Sequence, residues 1–205
     1  MLGKHIKVEP ALFYQACDEM GILLFQDMPS LRPLQQQTLE NSETFSVHCD
    51  LDHDEGWGQI TDYYPEFALT DRVKRLDPTR LVDSTSGWYD HGAGDFSDNH
   101  HYANPQCGSP SYSIPSSPYD PGRIGIQGEF GGIGQNVSIE HLWNIKDAID
   151  TINQTYEIDT SIEAWNYRGH RLLGELLDQV NTYSCSGGIW TKTTDVEGEV
   201  NGLLT

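Results

Sequence analysis

The order of apolar and polar positions along the chain predicts helices that alternate with short, continuously apolar strands. Residues 9–20 are predicted to form a helix, because Pro10 suits a first helical turn and Gly21 suits the position just after a helix. A continuous apolar run over residues 22–25 follows, as expected of a parallel strand buried on both faces. This order of helix, glycine and buried strand predicts an α/β protein.

Further elements are predicted along the rest of the chain by the same patterns. Strands are expected at 80–84, 123–127 and 187–191, and helices at 57–76, 138–154 and 157–181. Apolar and polar residues alternate over 45–51, which indicates a half-exposed strand. Residues 86–122 are rich in Gly, Ser, Pro, Asn and His, so we predict a long irregular loop with a short strand end at 98–102.

The repeated order of strand and helix, with chemically unusual residues at the strand ends, predicts a (β/α) barrel. Active sites of such barrels lie at the carboxyl ends of the strands. The chain has 205 residues, which is enough for one sizeable core. We therefore predict a single domain over residues 1–205, with the 86–122 loop on the active-site side.

Charge and cysteine spacing narrow the classes of function. The net charge of −19 disfavours binding to nucleic acid or to an anionic membrane surface. The sequence predicts no membrane span and no signal peptide, which leaves secreted and cytoplasmic localisation both open. None of the four cysteines has the spacing of a zinc or redox motif, and reduced, partly buried thiols are the favoured interpretation.

Two glutamates carry the strongest chemical signal, because each is set among glycines. Glu55 lies in the run 54–59, and Glu129 lies in the run 128–132. A single glutamate beside glycine is more often a surface turn residue, but two together favour a retaining glycosidase. Such an enzyme uses one carboxyl as acid/base and the other as nucleophile, with the two carboxyl groups about 5–5.5 Å apart.

The histidines give a weaker signal. His100 and His101, followed by Tyr102, would either contact sugar hydroxyls or hydrogen-bond to Glu129, and a histidine pair without function is an equal alternative. His5 is a candidate for the same mouth of the barrel. A metal site would need further ligands at suitable spacing, so we predict no metal and no cofactor.

Five motifs in order carry a family resemblance. They are the runs 4–10, 26–30, 55–59, 128–132 and 193–199. Together they resemble the barrel domain of glycoside hydrolase family 2, which includes β-galactosidases, β-glucuronidases and β-mannosidases. The resemblance implies hydrolysis of β-glycosides by a retaining double displacement, with Glu55 as acid/base after the fourth barrel strand and Glu129 as nucleophile after the seventh. It implies a carbohydrate substrate as the partner.

The resemblance also implies a set of residues that bind the substrate. Tyr102 resembles the tyrosine that hydrogen-bonds to the nucleophile, Trp190 resembles the aromatic floor of the sugar subsite, and His5 matches a position near the sugar. His101 is expected to contact the sugar as well. Asp54 stands where the family has an asparagine that binds the sugar 2-hydroxyl.

Two segments depart from the family pattern. The first barrel strand is absent, and the region of the fourth strand is shortened to residues 31–54. The predicted fold is therefore an incomplete (β/α)8 TIM barrel, whose open edges favour self-association. An inactive fragment, or a remnant that only binds carbohydrate, is the alternative function.

Overall fold

The computed structural model describes most of the chain outside a central gap. The described residues are 1–5, 7–27, 66–85, 90–102, 104–107, 120–135, 137–138, 157–196 and 199–204. The strand predicted at 45–51 lies outside them, as does nearly all of the helix predicted at 138–154.

The described elements alternate between short strands and helices. In chain order they are β1 (Leu2–Lys4), α1 (Ala11–Met20), β2 (Leu24–Gln26), α2 (Glu66–Leu76), β3 (Phe96–His100), β4 (Ile124–Gly131), β5 (Gly134–Gln135), β6 (Ile158–Asp159), α3 (Ile162–Tyr183) and β7 (Cys185–Thr191). The α/β class is confirmed. Gly21 ends α1 with a φ of 68°, the left-handed conformation that glycine adopts without strain.

The strands form three parallel sheets. β1 pairs with β2, β4 lies between β3 and β7, and β5 pairs with β6. The first two sheets lie close together, since the rings of Phe25 and Phe96 are 5.1 Å apart. A Cβ atom at Gly3 would lie only 3.3 Å from the Ile189 side chain. β2 therefore lies near β3, and β1 lies near β7.

The predicted TIM barrel is wrong for the part of the chain that the structure describes. The strands there belong to separate sheets of two, three and two strands, and none of these sheets closes. The sequence misled because an open parallel sheet also places unusual side chains at the carboxyl ends of its strands. The structure also begins with a strand that the sequence patterns did not predict, β1 at Leu2–Lys4.

Two predicted elements differ from those observed. Residues 80–84 form no strand, because Val82 N–H donates to the side-chain oxygen Oδ2 of Asp95 and not to a strand carbonyl, while Asp95 N–H donates to the Val82 carbonyl. The helix predicted over 157–181 begins later, at Ile162, because the Ser161 hydroxyl accepts a hydrogen bond from Ala164 N–H and so caps the first turn.

The core lies between α3 and the three-stranded sheet of β3, β4 and β7, which is called the central sheet below. Phe130, Ile133 and Leu172 are almost fully buried, and Trp165, Leu176 and Trp190 pack against them. Trp165 Nε1 donates a hydrogen bond of 2.9 Å to the carbonyl of Ile133, which pairs its polar atom. This cluster holds the helix on the side of β4 that Phe130 occupies.

A disulfide joins Cys107 to Cys185, whereas Cys17 is a buried free thiol. The interpretation that all four cysteines are reduced is therefore wrong for this pair. The two residues are 78 positions apart, so spacing offered no signal. The link ties the segment after β3 to the start of β7, and disulfides of this kind typically contribute about 2–4 kcal/mol to stability.

Candidate active site

Glu129 lies near the carboxyl end of β4, where polar groups from both neighbouring strands converge on one of its oxygens. Its Oε2 accepts hydrogen bonds from the Tyr102 hydroxyl at 2.6 Å and the Thr191 hydroxyl at 3.1 Å. His100 Nε2 lies 3.2 Å from the same oxygen. The convergence follows from the fold, because parallel strands bring their carboxyl ends to one edge of the sheet.

The second sheet approaches the other oxygen of this carboxylate. His5, which directly follows β1, places Nδ1 at 3.6 Å from Glu129 Oε1. The same nitrogen lies 3.5 Å from Oδ2 of Asp27, the residue after β2. The His5 side chain is 56% exposed and that of Glu129 is 20% exposed, so this is the open side of the cluster.

The surroundings of Glu129 keep its carboxylate ionised. Burial would raise its pKa, but hydrogen bonding and charge from His100, the hydrogen bond from Tyr102 and the charge of His5 outweigh burial. Together they lower the pKa from 4.5 to about 2. A general acid needs a raised pKa, whereas a nucleophile must be ionised, so this environment suits a nucleophile.

The two adjacent histidines lie in different environments. His100 and Tyr102 are two positions apart and both reach Glu129, as alternation along an extended chain allows. His101, which was expected to contact the sugar, is buried, and burial together with the charge of His100 lowers its pKa to about 4. It is therefore neutral at pH 7. Strand alternation is the sequence signal that would have favoured His100.

Trp190, predicted as the aromatic floor of a sugar subsite, is half-buried and packs against the core cluster. Its ring packs edge-on against Phe130, with centroids 5.3 Å apart, and lies against Gly131, where a Cβ atom would come within 2.7 Å of it. Phe130 follows Glu129 directly, and successive strand residues point to opposite faces. The residue of β7 that reaches the carboxylate is Thr191, which sequence reasoning missed.

Two buried side chains hold the backbone on either side of Glu129, and neither was assigned this role from sequence. Asp98 Oδ1 accepts a hydrogen bond from Gly128 N–H at 2.5 Å. Gln127 Nε2 donates to the carbonyl of Glu129 at 3.2 Å, while its Oε1 accepts from Gln106 N–H. Both side chains belong to residues that are at most 3% exposed.

The remaining predicted site residues, Glu55 and Asp54, lie outside the described part of the chain. Among the described residues, no group of three or more His, Cys, Asp or Glu side chains is arranged to hold a metal ion. No described helix has the length and apolar character needed to cross a membrane.

No protein-family model matches the chain, and no curated protein matches it in sequence.

Proposed function

We propose that this chain hydrolyses β-glycosides by a retaining double displacement, with Glu129 as the nucleophile and Glu55 as the acid/base. The observation that carries the proposal is the ionised carboxylate of Glu129 near the carboxyl end of β4. Tyr102, His100 and Thr191 all contact its Oε2, and its pKa is about 2. These contacts orient the carboxylate and keep it charged, as attack on an anomeric carbon requires.

The two oxygens of Glu129 have different surroundings, which supports different roles for them. Tyr102, Thr191 and His100 all contact Oε2, so Oε1, on the side of His5, is the oxygen that attacks the anomeric carbon. In the first step a bond forms between Oε1 and the anomeric carbon while the bond to the leaving oxygen breaks. Glu55 gives that leaving oxygen its proton.

The second step regenerates the enzyme. Glu55 removes a proton from water, the water oxygen bonds to the anomeric carbon, and the bond to Glu129 breaks. The sugar leaves with its original anomeric configuration. The donors on Oε2 favour this departure, because they stabilise the negative charge that returns to the carboxylate.

The sharpest test is covalent trapping. The purified chain is incubated with 2-deoxy-2-fluoro aryl β-glycosides of galactose, glucose, mannose and glucuronic acid, and the labelled peptide is identified by mass spectrometry. We expect the label on Glu129 and none in a Glu129→Gln variant. The matched control is Glu163→Gln, which changes an exposed glutamate in the first turn of α3.

Each other outcome has a distinct meaning. A label on a different carboxylate, with unchanged turnover in Glu129→Gln, would show that the nucleophile is misassigned. Binding of a sugar without any turnover or labelling would support the alternative, a chain that only binds carbohydrate. Release of product with inverted configuration, followed by NMR, would exclude the double displacement.

A further inference from the structure

The pairing of β3 with β4 is irregular just before Glu129. Asp98 lies opposite Ile126, but His100 lies opposite Glu129, so two steps along β3 correspond to three along β4. The extra residue makes a β-bulge, which interrupts the ladder and redirects the side chain that follows. Because of the bulge, Glu129 stands beside His100. A regular ladder would have placed Gly128 there.

A bulge leaves backbone groups without partners in the strand ladder. The Asp98 side chain supplies a partner for one of them, the N–H of Gly128. Its Oδ1 accepts the hydrogen bond from Gly128 N–H at 2.5 Å. The fit is close, because a Cβ atom at position 128 would lie 2.0 Å from Asp98 Oδ2. Glycine is therefore required at 128 if the Asp98 carboxyl is to fill the bulge.

A second carboxyl lies behind Asp98. Asp83, from the extended segment before β3, hydrogen-bonds to it, and Asp98 is only 3% exposed. Among the described residues, the titratable groups that act on Asp98 are Asp83 and His100. Burial and the neighbouring Asp83 raise the pKa of Asp98 well above its ordinary value, although His100 and the Gly128 amide oppose this. A protonated carboxyl can donate to Asp83 while still accepting from Gly128.

We propose that Asp98, backed by Asp83, is a positioning residue that sets the place of the Glu129 carboxylate by holding the bulge at Gly128. Asp98 itself does not touch the substrate. The inference rests on the proposed function only in naming Glu129 as the nucleophile, because the contacts that define its position exist without substrate.

The test measures the position of Glu129 through its pKa. The full chain is labelled with ¹³C at the glutamate carboxyl groups, and the Glu129 resonance is followed by NMR as pH is varied. In Asp98→Ala we expect the pKa of Glu129 to rise by about one unit or more, because the bulge relaxes and the carboxylate leaves Tyr102 and His100. Asp98→Asn should restore the native value, since the amide oxygen still accepts from Gly128 and the amide nitrogen donates to Asp83.

Asp77→Ala is the matched control, because Asp77 Oδ1 also accepts a backbone N–H, from Thr79, but lies just after α2. If Asp98→Ala does not fold, Asp98→Glu replaces it, since the extra methylene displaces Gly128 and the same rise is expected. An unchanged Glu129 titration in a folded Asp98→Ala or Asp98→Glu chain would overturn the proposal. The readout needs no turnover. If the native chain hydrolyses no glycoside but Asp98→Ala still shifts the Glu129 titration, the proposed function fails and the positioning role stands.

Discussion

Glu129 and Phe130 are neighbours in β4, and Trp190 and Thr191 are neighbours in β7, yet each pair divides between two environments. Glu129 and Thr191 meet at the polar carboxyl edge, whereas Phe130 and Trp190 pack under α3. Alternation along the strands produces this division. A residue of the candidate active site is therefore followed or preceded directly by one that packs against the core. Substitutions at adjacent positions should affect activity and stability separately.

The largest expected effect is a loss of activity when the carboxylate at the polar edge is removed. Glu129→Gln keeps the shape of the side chain but removes the attacking charge, so kcat on an aryl β-glycoside should fall by about 10⁴-fold or more. The measurement is initial rate at saturating substrate, with Glu163→Gln as control. A rate within tenfold of the native chain would place the nucleophile elsewhere.

The next largest effect is a loss of stability when an apolar side chain under α3 is shortened. Phe130→Ala removes a ring that is 1% exposed and leaves a cavity against Leu172 and Trp190, so the free energy of unfolding should fall by about 3–5 kcal/mol. Urea denaturation measures this directly. Phe67→Ala serves as control, because Phe67 is 47% exposed. An equal loss in both variants would contradict the assignment of Phe130 to the core.

Lowering the pH should affect the polar edge and not the apolar core, because Glu129 titrates whereas Phe130 and Trp190 do not. The pKa of Glu129 is about 2 in the folded chain and 4.5 ordinarily, so its interactions stabilise the fold above pH 4.5 and are lost as pH falls towards 2. The contribution is at most about 3 kcal/mol. Relative to Glu129→Gln, the native chain should lose its advantage in Tm between pH 5 and pH 2. A constant difference in Tm across that range would contradict the lowered pKa.

Removal of the disulfide between Cys107 and Cys185 tests how much this link contributes to the stability of the fold. Cys107→Ser with Cys185→Ser should lower the free energy of unfolding by about 2–4 kcal/mol, because the unfolded chain regains freedom. The measurement is urea denaturation of the double variant, with Cys17→Ser as the matched control at a buried free thiol. A double variant as stable as the native chain would show that the link adds nothing.

The smallest effect concerns a single donor. Tyr102→Phe removes the 2.6 Å hydrogen bond to Glu129 but leaves the ring beside His100. Hydrogen bonds to charged groups contribute about 1.5–3 kcal/mol, so kcat should fall roughly 10- to 100-fold and the pKa of Glu129 should rise. The ¹³C titration described above measures the second effect. A fall in kcat with no change in that pKa would assign Tyr102 to substrate binding instead.

Several features followed from the sequence by itself, because they depend on neighbouring residues. The helix α1 with its Gly21 cap and the position of Glu129 near the end of a strand come from local periodicity and turn chemistry. The prediction of a strand buried on both faces was wrong for β2, which is only half-buried and follows a Leu23 that is 73% exposed. The α/β class follows from the order of these elements. Local patterns carry such information since a helix or strand is defined by residues only a few positions apart.

Tertiary structure alone decided which elements meet. The separation into three sheets, the disulfide between Cys107 and Cys185, and the bulge that brings Glu129 to His100 all depend on residues far apart in the chain. The packing of the half-buried Trp190 against the core cluster under α3 was decided in the same way. Sequence periodicity fixes the face on which a side chain lies, but the partner across that face depends on strand pairing, which is a long-range property.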